Sequence, residues 1–281
     1  MKMNARQRAI GSKGAAIEAA LKTIAKCDPA QLPDYLRQYG EECADRDSPL
    51  FGLQTRFVYE ALARQAGTPI AFDVKLAKWI RSAFSKDDER RYLQMAHVER
   101  AKDGTLYVLG VDGFVLHGVV VTGADFVPGR MLRIDAKGNV FDIDRAALWP
   151  EIAGLVYERA PQPTSARGKK VSASRLVAPK PYSFTQILPK VGLKPATQRP
   201  GAPVPIEPNS KTLKVDFEIE QPEGAIPMGY LTANAALHDR VTKLPADWKT
   251  FAQTPTRPLL YAGHYGLWVV VAVAMPLSIP K

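Results

Sequence analysis

The residues able to do chemistry in this 281-residue chain are few and scattered. Four histidines, His97, His117, His238 and His264, could act as general acids, bases or metal ligands. No HxxxH or HExxH spacing brings two of them to one helix face. His97 and His117 fall on predicted strands and read as structural. The only two cysteines, Cys27 and Cys43, form no CxxC pair, so neither a disulfide framework nor a zinc site is expected, and a reducing compartment is. No GxSxG, P-loop or GxGxxG occurs. One carboxylate invites attention, Asp112 in Thr105–Val121, TLYVLGVDGFVLHGVVV. It could transfer protons. Yet Asp-Gly between two β-branched apolar runs is a hairpin turn that needs no chemistry. The chemistry-bearing residues therefore predict a non-enzyme, with no catalytic residue, metal or cofactor.

The elements that position these residues follow from pattern. Hydrophobic residues are 46% and charged residues 23%, ordinary for a soluble globular protein of roughly two domains. Residues 1–48 read as helical, with Ile10, Ile17, Leu21 and Ile24 at 3–4 spacing, a stop at Asp28-Pro29, and a second helix from Leu32 to Tyr39. Ser48-Pro49 reads as N-cap and first position of a third helix, Leu50–Ala66, closed by Gly67. From Pro69 the order becomes β-α-β-β-β. A short strand at Ile70–Phe72 leads to a helix over Val74–Phe84 capped by Asp73, a strand over Arg91–Arg100, and the Asp112-Gly113 hairpin. Strands at Met131–Ile134 and Val140–Ile143, a helix from Asp144 to Val156 and a strand at Val171–Val177 follow as a weaker copy. Strands at Thr212–Glu220 and Ile226–Leu231, a helix over Ala233–Leu244 and a final hairpin then complete the chain.

That final stretch, Leu259–Ile279, carries no formal charge over 21 residues. Its Gly263, Gly266 and Pro276 and the run Val269–Val271 favour a hairpin around His264-Tyr265-Gly266 over a membrane helix. The N-terminus is basic without an apolar core of signal-peptide type.

Charge is concentrated. Of the net +10, the stretch Pro161–Lys214 supplies +9, from ten Lys or Arg against Glu207. The same region is proline-rich and reads as extended or loop-like. A polyanion partner such as nucleic acid and a solvated basic linker are both compatible with it.

Three segments resemble one family. Ser85–Leu116 resembles the middle domain of bacterial-type DNA polymerase sliding clamps, the β subunit of the replicative polymerase. Where that family has Ala-Thr-Asp-Gly-His-Arg-Leu, this chain has Gly110-Val111-Asp112-Gly113-Phe114-Val115-Leu116. Pro181–Lys190 (PYSFTQILPK) is similar to the clamp connector, and Val273-Ala274-Met275-Pro276-Leu277 to the clamp C-terminus. The matches keep the family's order and cover about residues 69–279. A helical region, 1–68, stands where the first clamp domain would be, and the last domain keeps only its second half. A divergent, viral clamp fits these features.

The resemblance implies an α+β clamp fold of repeated β-α-β-β-β units with an extra N-terminal helical region. The domains expected are 1–68, 69–190 (the middle-domain-like one) and 191–281, a shortened C-terminal one. It implies a processivity factor in DNA replication that encircles double-stranded DNA without reading sequence, as a homo-oligomeric ring of two or three chains. Its setting would be the cytoplasm of a bacterium or infected host cell, without a membrane. Replicative polymerase or other partners would insert a peptide into a groove lined by Val111, Gly113, Phe114, Val115, Leu116, Tyr182, Gln186, Ile187, Met275, Pro276 and Leu277; simple core packing is the competing reading of these residues. Phosphate contacts would come from Lys75, Lys78, Arg81, Arg145, His238, Arg240, Lys243, Lys169 and Lys170, with solvated helix faces as the alternative. The runner-up function is a clamp-fold adaptor for nucleic acid or host partners that closes no ring.

Overall fold

The computed structural model describes residues 5–44, 47–50, 54–87, 90, 93–143, 157–158, 175–176, 184–185, 188, 193–208, 210–220 and 230–277. Two compact units divide it: 1–67 with 143–181, and 68–142 with 182–281.

The first unit is helical in its N-terminal part. Helix α1 spans Ala5–Lys26, α2 Leu32–Ala44 and α3 Gln54–Arg64. Asp28 stops α1 as expected. Its carboxylate accepts from the Ala30 N–H at 2.8 Å, which fixes a turn before α2. The open carbonyls at the end of α1 are met by Arg64, whose guanidinium donates to the Ile24 and Cys27 carbonyl oxygens, a cation at the negative end of a helix. Ile24, Leu32, Tyr39, Leu50, Phe57 and Leu62 are buried, with Tyr39 stacked on Phe57 at 5.4 Å. The third helix is described from Gln54, with 51–53 outside the described residues; Leu50 lies in a turn, where its N–H donates to Ser48 Oγ at 3.1 Å. Neither Cys27 nor Cys43 forms a disulfide. In 143–181 only a two-stranded ladder is described, β7 (Tyr157–Glu158) with β8 (Arg175–Leu176). The expected helix from Asp144 lies outside the described residues, as does most of the strand expected at Val171–Val177.

The second unit is built on an antiparallel sheet. In chain order its elements are β1 (Thr68–Ile70), α4 (Val74–Ser82), β2 (Ala96–Arg100), β3 (Leu106–Val111), β4 (Val115–Val121), β5 (Met131–Ile134) and β6 (Val140–Ile143). Then come β9 (Lys194–Gln198), β10 (Val204–Pro205), β11 (Leu213–Ile219), β12 (Tyr230–Asn234), α5 (Ala235–Thr242), β13 (Lys249–Ala252), β14 (Leu259–Tyr265) and β15 (Trp268–Ala274). Strand order is β1-β6-β5-β2-β3-β4-β15-β14-β13-β9-β11-β10, with β12 on β11. The pairing of β4 with β15, Val115 opposite Ala274, makes one sheet of strands from 69–143 and from the C-terminal part.

The β-α-β-β-β order from Pro69 is present. Asp73 caps α4, accepting from the Lys75 and Leu76 N–H groups. Leu76, Ala77, Trp79 and Ile80 form its buried face. Helix α4 lies so close to β3 that a Cβ on Gly110 would stand 2.5 Å from the Ile80 carbonyl oxygen. Glycine is the one residue that permits this approach. Trp79 stacks flat on His117 of β4, with 4.2 Å between ring centroids, and its indole N–H donates to the Val241 carbonyl of α5 at 3.0 Å. That bond makes α4 and α5 neighbours on one face of the sheet. Phe217, Leu231, Tyr261, Val270 and Ala272 continue the core.

Several expected elements move. The strand expected from Arg91 is described from Ala96, and that expected at Ile226–Leu231 is described over Tyr230–Asn234, with 221–229 outside the described residues. Strands β9 and β13 were not legible. Strand β9 contains Pro195, yet the Pro195 carbonyl still accepts from the Glu220 N–H at 2.9 Å. Strand β13, Lys249–Ala252, is four residues long, and its sequence KTFA carries no β-branched apolar run to mark it. The charge-free terminal stretch is a hairpin, β14 and β15, turning at Gly266 with φ +58°. Among the described residues no helix is long and apolar enough to cross a membrane.

Candidate functional site

The turn between β3 and β4 is held by its own sequence. Asp112 Oδ1 accepts from the Phe114 and Val115 N–H groups, both at 2.8 Å, and Gly113 takes φ +96°. Asp112 is thus a turn carboxylate, and its Oδ2 pairs with Arg240. The turn carries Phe114 outward, 61% exposed. Phe114 in turn accepts through its carbonyl from the Met275 N–H at 2.9 Å. The chain after β15 therefore crosses beside the turn. Beyond it, Pro276 bridges to Ala233 and the Leu277 N–H donates to the Thr232 carbonyl.

A cavity of about 410 Å³ opens where these segments meet. Of the expected groove residues, Val111, Gly113, Phe114, Val115, Leu116 and Met275 line it. Pro276 and Leu277 do not. They are tied to the β12 backbone instead, because the terminal segment satisfies its hydrogen bonds there. Tyr182, Gln186 and Ile187 lie outside the described residues. Their segment nonetheless reaches this region through Phe184, whose N–H donates to both Glu99 carboxylate oxygens at 2.8 Å. Phe184 packs with Leu109, Val111, Leu116, Leu260 and Val273 in a small core under the cavity, and Leu188 packs against the same cluster. Sequence reasoning missed Gln253, Arg257, Pro258 and Val273, which complete the wall. The first three sit on the β13–β14 connection, visible only once β13 is known. Val273 was seen within the matched C-terminal segment but not assigned to the groove. The result is a largely apolar recess with an exposed aromatic rim.

The helix-face cations divide. Lys75, Lys78 and Arg81 are exposed on α4, and Lys243 is exposed after α5. His238 and Arg240 are not free helix-face groups. His238 is half-buried, with Nδ1 3.0 Å from the Tyr261 hydroxyl and its ring edge-on to Phe217. Burial is the main cause holding its basicity below the ordinary histidine value. Arg240 is committed to Asp112. Arg145, Lys169 and Lys170 lie outside the described residues.

His97 and His117 are structural in their placement. His117 is fully buried, its Nδ1–H donating to the Trp79 carbonyl at 2.7 Å, and its Nε2 has no partner. Desolvation is the larger cause that pushes its pKa down to about 3. His97 packs edge-on to Phe184 at 5.0 Å. Among the described residues no cluster of three His, Cys, Asp or Glu could hold a metal ion.

No family model and no curated protein matches the chain. Solved structures do. The β subunit of DNA polymerase from Streptococcus pyogenes is 12% identical over 76% of this chain and 67% of its own, with a TM-score of 0.40. The Helicobacter pylori β clamp, in complex with a difluorobenzamide, is 14% identical over 73% and 64%, at 0.39. The Caulobacter crescentus β sliding clamp is 16% identical over 75% and 65%, at 0.42. The chain spans about two thirds of the length of these structures. At these identities and TM-scores the finding is a distant likeness to sliding clamps, the family that the three matched segments resemble.

Proposed function

We propose that this chain is a DNA sliding clamp, a polymerase processivity factor that closes an oligomeric ring around duplex DNA and holds partner peptides in the groove beside Phe114. One observation carries the reading. The β3–β4 turn and the segment after β15, 161 residues apart between Phe114 and Met275 by their numbering, are joined by a backbone hydrogen bond at the rim of an apolar cavity. Lys75, Lys78 and Arg81, exposed together on α4, suit sequence-independent contact with phosphates. The reading needs no catalysis by the chain itself and places it in the cytoplasm of a bacterium or an infected cell.

The test combines mass in solution with topology on DNA. The chain should run as a dimer or trimer, and stay on a nicked circular plasmid while leaving the same plasmid once linearised. A stable monomer, or equal retention on both forms, would sink the ring.

Phe114→Ala tests the groove. An exposed aromatic anchor in a peptide site is worth about 2 kcal/mol, so binding of a polymerase clamp-binding peptide should weaken roughly 30-fold. Unfolding free energy should stay within about 0.5 kcal/mol of wild type, since the ring is mostly in solvent. Unchanged peptide affinity on calorimetric titration would remove Phe114 from the site.

A second reading has its own support. His238 and Arg240 are occupied inside the protein, which thins the positive face of α5 to Lys243 among the described residues. An adaptor that binds partners without closing a ring fits that weaker face. A monomer that still binds peptide at the Phe114 groove would favour it.

A further inference from the structure

We propose that the cavity between β9, α5 and β13 is a binding site for a small planar aromatic carboxylate. It shares no lining residue with the Phe114 groove and does not depend on the clamp reading.

The cavity arises from a change of partner along β9. Lys194 and Pro195 pair with Ala252 and Phe251 of β13, whereas Ala196, Thr197 and Gln198 pair with Ile219, Glu218 and Phe217 of β11. Pro195 has no N–H to carry a ladder through the crossover. Where the two ladders part, a space of about 530 Å³ opens, within the range of small-molecule sites.

Its walls are aromatic and fixed by one another. His238 lies edge-on to Phe217 with 5.5 Å between ring centroids, and 5.8 Å from Tyr261; Trp248 stands edge-on to Tyr261 at 6.3 Å. Rings locked in this way offer a flat ligand preformed faces and edges, with little ordering cost.

Its polar groups include a buried hydroxyl, an imidazole and a lysine. The Tyr261 side chain is fully buried, and burial raises its pKa far above the ordinary tyrosine value, so the hydroxyl keeps its proton. It lies 3.0 Å from His238 Nδ1, and we assign the hydroxyl as the donor of that bond. The neutral imidazole then carries its proton on Nε2, as a donor. Lys249 lines the cavity and is exposed, and no Asp or Glu is among the described lining residues. Aromatic walls, a neutral donor and one exposed cation select a ring bearing an anionic acceptor.

The full chain should be titrated with cinnamate and with cinnamamide by isothermal calorimetry, with tryptophan fluorescence as a second readout. Cinnamate should bind saturably, one per chain, with Kd at or below the millimolar range, and the amide at least tenfold more weakly. Lys249→Gln should weaken cinnamate about tenfold and leave the amide unchanged. Thr197→Trp, at an exposed β9 position lining the cavity, should abolish binding of both. The proposal is overturned by absence of saturable cinnamate binding, by an amide that binds equally well, or by binding indifferent to both substitutions.

Discussion

Between pH 6.5 and about 3 this protein should lose close to 1.4 kcal/mol of unfolding free energy per pH unit through His117 alone. The ring is fully buried, stacked on Trp79, with Nδ1–H spent on the Trp79 carbonyl and Nε2 without a partner. A proton on Nε2 would be a desolvated charge facing no acceptor, with the Arg240 cation in the surroundings; the Trp79 carbonyl and Asp112 offset this only in part. In the unfolded chain the same imidazole titrates near its model value of 6.5. The folded-state pKa is therefore the lower of the two. Above 6.5 both states are neutral and pH has no effect. Between 6.5 and about 3 the unfolded state alone binds the proton, so stability falls as pH falls. Below that both are protonated and the loss is complete, on the order of 5 kcal/mol. His238, also held below the ordinary value by burial, adds to the loss in the same direction. Urea unfolding at closely spaced pH values measures the slope. His117→Gln should remove most of it between pH 6.5 and 4.5, before most carboxylates begin to titrate. Equal slopes in variant and wild type would show that His117 is not the acid-sensitive group.

Gly110→Val is the substitution with the largest expected cost in the second unit, about 3 kcal/mol or more. Gly110 stands opposite His117 in the β3–β4 ladder, under the C-terminal end of α4. A Cβ there meets the Ile80 carbonyl oxygen at 2.5 Å, the Ile80 side chain at 2.9 Å and the Phe84 ring at 3.1 Å. The nearest of these is backbone, which no rotamer change can move. Relief requires α4 to lift from the sheet, and that separates Trp79 from both His117 and the Val241 carbonyl. The denaturation midpoint should fall sharply, and the acid sensitivity of His117 should diminish with it as the ring gains water. A midpoint within about 0.5 kcal/mol of wild type would mean the helix does not sit this close.

The site was legible where its geometry is local. Asp112-Gly113 between two β-branched runs could be read as a turn because one side chain satisfies two N–H groups within three residues and glycine alone accepts the dihedral. The capping of α4 by Asp73 and the terminal hairpin were readable for the same reason. Arg240 and His238 were misread as solvent-facing because α5 is only eight residues long, and its periodicity cannot reveal a carboxylate 128 residues earlier or a buried tyrosine 23 residues later. Arg257 and Gln253 were missed because their place beside the groove depends on β13, four residues long.

By itself, then, the sequence determined the β-α-β-β-β order after Pro69, the hairpin that presents Phe114, and the absence of the spacings that catalysis or zinc would need. Those follow from backbone sterics and side-chain periodicity, which act over a few residues. The tertiary structure alone decided that β4 pairs with β15, that Met275 is fastened to Phe114, that Gly110 lies against Ile80, and that β9 changes partners to leave an aromatic cavity. Each of these is a contact between segments remote in the chain. Such contacts are selected by the burial and hydrogen bonding of the whole sheet rather than by any preference of the residues that make them.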